Sequence, residues 1–255
     1  MSLSLPSRRP AAAGLRHPAA VHGTREQLLR YQLEQPRLRA LMQRIGPLPP
    51  RPYVFAQLAL LARNAVRDPA LAAAAFTCWP TPLRHAAVDL SLLEKEARRT
   101  AAIAADLAAG TAHHDHAVLA ALLHDVGYWL LVRECPRELE QALELAVAAQ
   151  IPLEAAERDI LGTSHAEVGA WLLNAWNLPQ PLVEAVAHHH HPERVTVAGL
   201  EPLPLLALAI AITGGDDCDG CARPPPPAAV VDEHYLAALH TGLTWSSLIE
   251  RARHR

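Results

Sequence analysis

The chain predicts an all-α protein, and three observations carry that prediction. Alanine and leucine dominate, while only 4% of the 255 residues are aromatic, a composition that favours helix over sheet. Apolar residues recur at three- and four-residue spacing along most of the chain. No stretch of useful length alternates apolar and polar residues, and no internal repeat is present. With 51% of residues hydrophobic, the chain can bury a sizeable core.

Residues 1–23 are rich in Pro, Ala and Arg without helical period, and predict a disordered basic tail. A helix is expected over about 24–45, ended by Gly46 and the prolines from Pro47 to Pro52. Two shorter helices follow, near Val54–Val66 and Pro69–Thr77, before a break at Pro80 and Pro82. These make an N-terminal helical region over 24–83. The main helical domain is expected over 84–255. It opens with a long Ala-rich helix from Arg84 to Ala109, stopped by Gly110, and a helix over about Asp115–Arg133. Helices over Pro136–Ala149 and Pro152–Leu161 each place a proline in the first turn, where its missing N–H is harmless.

Ser164-His165-Ala166-Glu167 is a capping box that starts a helix running to about Trp176. Pro181 starts another, which runs into His188–His191 and Pro192. An apolar run, Leu203–Ile212, precedes a Pro-rich loop at 214–227. The last helical pieces are about Val231–His240 and Thr244–Arg253.

Charge is distributed unevenly. Residues 1–67 carry eleven arginines against Glu26 and Glu34, a net of about +9, and the remainder stands at about −12 to give −3 overall. Lys95 is the one lysine, so the arginines reflect the codon habit of a GC-rich bacterial genome as much as a function. No motif supports a nucleic-acid reader, and nucleic acid is not the expected partner. Cys78, Cys135, Cys218 and Cys221 do not form a disulfide framework in a chain this long, and the Cys218–Cys221 pair has no second pair at metal spacing. The apolar run at 203–212 is far shorter than the ~20 residues a membrane-spanning helix requires. No signal peptide is evident, so a cytoplasmic protein without a membrane partner is expected.

The residues that could carry chemistry are His124 and Asp125, His165, and the run His188–His191. Asp125 falls in line with Val118, Leu122 and Trp129, an apolar face, and a carboxylate aimed into a core needs a metal or a strong donor. His165 shares its stripe with Val168, Leu172 and Trp176. Each histidine alone is most simply a core residue satisfied by a carbonyl, or a cation suited to a helix C-terminus. Together they form a spread-out metal-ligand set.

The stretches LLHDVG (122–127), Cys135-Pro136, the segment 151–186 containing His165, Gly169, Leu172, Trp176, Leu178-Pro179 and Pro181, and HHHP (189–192) resemble the HD-related output domain (HDOD) family. That family lies within the HD superfamily of metal-dependent phosphohydrolases. Leu48-Pro49 and Asp68-Pro69-Ala70-Leu71 resemble its opening motifs more weakly. The resemblance implies a compact multi-helix HD-like bundle, with a reduced N-terminal helical subdomain, since the interval from Asp68 to Arg99 is short for the family. It also implies His124, Asp125, His165, His189 and His190 as residual metal ligands.

The departures matter as much. Catalytic HD proteins carry a further histidine on an earlier helix, some 25 residues before the His-Asp pair, and an aspartate on a later helix. Here the earlier helix reads Glu96-Ala97-Arg98-Arg99-Thr100 and the later one, 206–212, has no carboxylate. Arginine cannot ligate a cation. Tyr128 replaces the lysine that often follows His-Asp-x-Gly in cyclic-di-GMP-cleaving relatives, and their Gly-Tyr-Pro motif is absent. A non-catalytic signalling domain is therefore expected, with no catalytic residues. It would bind a nucleotide ligand or a signalling protein through a degenerate HD cavity, and Arg98 or Arg99 would pair with Asp125 in place of metal. No cofactor is required; a divalent Fe, Mn, Mg or Zn ion at the residual site is the alternative. A metal-dependent phosphohydrolase or cyclic-dinucleotide phosphodiesterase is the competing function, and the amphipathic helix at 24–45 offers a homodimer contact.

Overall fold

A computed structural model describes residues 25–45, 88–197, 199–213, 231–244 and 246–248. The predicted tail at 1–23, the helices near Val54–Val66 and Pro69–Thr77, the loop at 214–227 and most of the last helix lie outside the described residues. Within them the chain is helical with no extended strand. The order is α1 (Arg25–Leu33), α2 (Pro36–Ile45), α3 (Leu90–Leu107), α4 (His114–Leu123), α5 (Gly127–Glu134) and α6 (Pro136–Ala149). There follow α7 (Leu153–Leu161), α8 (His165–Ala175), α9 (Gln180–His188), a 3₁₀ turn at Pro192–Arg194, α10 (Pro202–Thr213) and α11 (Glu233–Ala238).

Two helices are apolar all round and form the centre. In α4 every residue from Ala117 to Leu123 is buried, and in α10 every residue from Pro202 to Ala209. α3 packs on both through Leu93, Ala97, Thr100, Ala101 and Ala104, and α9 packs on both from another side. α8 lies against α9 and α5, while α6 and α7 form a pair at the periphery.

The single helix expected over 24–45 is two. Pro36 has no N–H to donate into a preceding turn, so α1 ends at Leu33 and Pro36 becomes the first residue of α2. The helix expected over 115–133 is also two. Between Leu123 and Trp129 the backbone bonds run from Val126 N to Leu123 O (3.0 Å), Tyr128 N to Asp125 O (3.0 Å) and Trp129 N to Val126 O (3.2 Å), a tighter three-residue turn. Such a turn inside a helical run often marks a functional position, and this one carries the His-Asp pair.

The capping box is formed. Ser164 accepts from Glu167 N, and Ser164 N donates back to Glu167 Oε2 at 3.1 Å. Gly162, at φ 76°, ends α7 in the left-handed conformation and turns the chain toward that cap. Ser164→Ala is expected to cost about 1 kcal/mol, measurable as a lower urea midpoint with an unchanged m-value.

Candidate metal centre

His124 closes α4 and Asp125 follows in the tight turn. His165 opens α8, and His189 and His190 follow the end of α9. These three places converge on Asp125, which is 2% exposed. Its Oδ2 lies 3.4 Å from His124 Nε2, and its Oδ1 lies 3.2 Å from His165 Nε2 and 3.8 Å from His189 Nε2. His190 joins through His165, with 2.9 Å between their Nε2 atoms.

The far side of each ring fixes its tautomer. His124 Nδ1 lies 2.7 Å from Ala121 O, and His189 Nδ1 lies 2.8 Å from Val186 O. A carbonyl only accepts, so both Nδ1 atoms carry hydrogen, and the Nε2 atoms are turned toward Asp125, where a neutral ring presents a lone pair. His165 Nδ1 donates to Glu157 Oε2 at 2.7 Å, and the same oxygen accepts from His165 N at 2.8 Å. Lone pairs facing a carboxylate repel unless a proton or a cation stands between them. His189 Nε2 is buried and makes no hydrogen bond among the described residues.

Protonation of His165 meets part of this need. Burial opposes charge on that ring, but Glu157 and Asp125 outweigh it and raise its pKa to about 9. Burial pushes His189 the other way, to about 3, with His124 and His165 adding to the effect. Tyr128 stacks on His165 at a centroid distance of 4.1 Å and 16° between planes.

Backbone proximity puts the rings in reach. A Cβ built on Gly127 would collide with the His165 carbonyl oxygen and stand 2.9 Å from Gly169 N. Gly127 and Gly169 therefore let α5 and α8 touch main chain to main chain, which sets His165 beside Asp125.

The five residues expected from sequence are thus brought together. Among the described residues, no contact of Arg98 or Arg99 with Asp125 is seen. Arg98 Nη1 bonds Glu94 at 2.8 Å, one turn back on its own helix, and Arg99 is exposed. The inward position on α3 is Thr100, whose hydroxyl bonds Thr213 Oγ1 of α10 at 3.3 Å, while Thr213 donates to Ala209 O. The reason is phase: Ala97, Thr100, Ala101 and Ala104 form the buried stripe of α3, and the arginines fall beside it. Sequence reasoning also missed Glu157, eight residues before His165 and fully buried. Its one signal was a carboxylate in the helix preceding a capped histidine.

The other two histidines of the run serve elsewhere. His191 Nε2 lies 2.7 Å from Glu154 Oε1, and Arg158 Nε bonds Glu154 Oε2 at 2.9 Å. Burial works against the Glu154 charge, but His191 and Arg158 prevail and lower its pKa to about 2 from 4.5. Its folded pKa lies below the unfolded value, so its contribution is complete above about pH 4.5 and is lost as pH falls toward 2. The stability gap between wild type and Glu154→Gln should accordingly shrink between pH 5 and pH 2 in urea titrations. His188 is buried, and its pKa is lowered to about 4, chiefly by burial, with the charge of Arg194 adding to the effect. A cavity of about 550 Å³ lies apart from the cluster, lined by Arg37, Leu41 and Arg44 of α2, Glu138 of α6 and Asp159 of α7.

Comparison with known proteins bears on the family and the fold. The HDOD domain model matches residues 56–192. An uncharacterized protein of Treponema pallidum (strain Nichols) is 32% identical over 104 residues, 39% of this chain and 20% of its own length. The chain thus matches about a fifth of that relative. Two crystal structures share the fold at a TM-score of 0.52 and 22% identity each. One is the "Putative phosphohydrolase" of Shewanella amazonensis SB2B, covering 71% of this chain and 80% of its own. The other is an HDOD domain protein with unknown function from Geobacter sulfurreducens, covering 90% and 82%. With an all-helical bundle, the His-Asp pair at its tight turn and a family match over more than half its length, the chain belongs to the HDOD family.

Proposed function

We propose that this chain is a regulatory, non-hydrolytic HDOD domain that engages a ligand or a protein partner, with its histidine cluster retained as a binding centre. The observation that carries this is the Thr100–Thr213 contact between α3 and α10. Hydrolytic HD proteins use an imidazole and a carboxylate from an earlier and a later helix. Here the polar contact between those two helices is a neutral hydroxyl pair, and among the described residues neither helix offers the outer donors that would sharpen a bound water into a nucleophile.

The residues that remain fit a divalent ion. Nδ1 anchoring of His124, His165 and His189 is the outer support that metal-binding imidazoles require, and the Nε2 atoms converge on one carboxylate. His124, Asp125, His165, His189 and His190 would hold the ion. It would supply positive charge that ties the α4–α5 turn, α8 and α9 together. Imidazole and carboxylate donors suit Zn, Fe or Mn.

The competing reading, a metal-dependent phosphohydrolase or cyclic-dinucleotide phosphodiesterase, is favoured by the same cluster, in which the ring nitrogens of His165, His189 and His190 lie within 4.8 Å of one another beside Asp125. Elemental analysis of protein purified without a His tag, followed by a phosphodiester hydrolysis assay with added Mn²⁺ or Fe²⁺, separates the two. The regulatory reading predicts metal uptake without turnover. Turnover abolished by Asp125→Ala would overturn it.

A further inference from the structure

α1 is fastened to the cluster helices by its polar side chains. The Arg25 guanidinium forks onto both carboxylate oxygens of Glu184, with Nε 3.1 Å from Oε1 and Nη2 on Oε2, and its Nη1 reaches Glu201 ahead of α10. At the other end of the helix, Gln32 Nε2 donates to Ala187 O at 3.2 Å and to Glu167 Oε1 at 3.4 Å. Glu184 and Ala187 belong to α9, which leads directly into His189 and His190. Glu167 stands two residues after His165 on α8. The bonds of Arg25 to Glu184 and of Gln32 to Ala187 and Glu167 therefore end on the helices that bring the cluster imidazoles together.

Among the described side chains of α1, Leu29 is buried and Leu33 half-buried. Glu184 is a carboxylate 5% exposed, with Arg25 as its ion-pair partner among the described residues. A buried carboxylate deprived of its cation is strongly unfavourable. α1 therefore cannot leave without forcing α9 to re-expose or reorganise around Glu184.

We propose that α1 is a clasp that holds α8 and α9 in the register where His165 meets His189 and His190, so that the cluster is assembled only while α1 is docked. Its consequence for ion binding rests on the metal-centre reading above; the mechanical coupling does not.

Amide hydrogen exchange on the full chain tests the coupling, with Mn²⁺ titration as the second readout. In Arg25→Ala, exchange should accelerate at least tenfold both at 25–33 and at 184–190, while 136–149 in α6 keeps its wild-type protection. Mn²⁺ affinity should fall about tenfold, and Arg25→Lys, which keeps charge but loses the fork, should lie between. Faster exchange confined to α1, or none anywhere, would overturn the clasp. Should Arg25→Ala lose α6 protection as well, the chain is globally destabilised. Gln32→Ala, which severs the other tie, then decides by the same comparison. A wild-type protein that takes up no Mn²⁺ would refute the metal-centre reading and leave the exchange result to judge the clasp.

Discussion

Gly127→Ala should lower the stability of the protein by about 3 kcal/mol or more, an effect at or beyond the upper end for a small-to-large substitution in a packed interior. The added methyl meets main chain, the His165 carbonyl and Gly169 N, rather than a side chain that could rotate away. Relief requires α5 and α8 to separate, and that separation draws His165 away from Asp125. Two readouts should therefore move together in a urea titration and an ion-binding titration: a reduced unfolding midpoint and a loss of divalent-ion affinity. Gly169→Ala should be milder, because the added methyl would meet its neighbours less closely, at 3.2 Å to Gly127 N and 3.3 Å to a Val126 methyl.

Glu157→Ala should cost about 3–5 kcal/mol, the range for breaking a buried charged pair by deleting one partner. One oxygen of Glu157 accepts from both the backbone N–H and the ring Nδ1–H of His165, so truncation leaves two donors stranded in a fully buried place. Glu157→Gln keeps an acceptor and loses only the charge, so about 1–3 kcal/mol is expected. The pH dependence gives the sign. The folded pKa of His165, about 9, exceeds the ordinary 6.5, so its stabilisation is complete below about pH 6.5 and is lost as pH rises through 9. In Glu157→Gln that loss should begin at lower pH, visible as a displaced alkaline limb when thermal midpoints are measured from pH 6 to 10. Divalent-ion affinity should fall by about 10–100-fold in either variant, as for loss of an outer partner of a ligating histidine.

The helices themselves were largely legible in sequence, because their signals are local. Proline in the first turn marked α6, and the capping box at Ser164 marked α8 to the residue. What failed was continuity. A run of apolar residues from 115 to 133 reads as one helix, since a three-residue turn at His124–Val126 leaves no trace in composition. Pro36 did carry a signal for the break between α1 and α2, and the amphipathic pattern on either side masked it.

The cluster was legible as a list of residues, not as an arrangement. His124, Asp125, His165, His189 and His190 were named from motifs. Which two of the four consecutive histidines turn inward depends on where α9 ends, a matter of a single residue. The arginine expectation meets a related difficulty. Spacing of about 25 residues locates a turn of α3 but not its phase, and one position decides between Arg99, exposed, and Thr100, buried. Arg25 acts across a long sequence separation and belongs to no motif, while Glu157 sits eight residues before His165 inside the matched segment 151–186 with nothing there to single it out, so packing identifies both.

The most direct measurement of the central claim is anomalous diffraction from crystals soaked in Mn²⁺. A retained but incomplete coordination sphere predicts at most one ion, seated on Asp125 and the histidines around it, with the Thr100–Thr213 contact intact. Two ordered ions bridged by Asp125, with other oxygens or nitrogens from α3 and α10 filling the outer positions, would contradict the account.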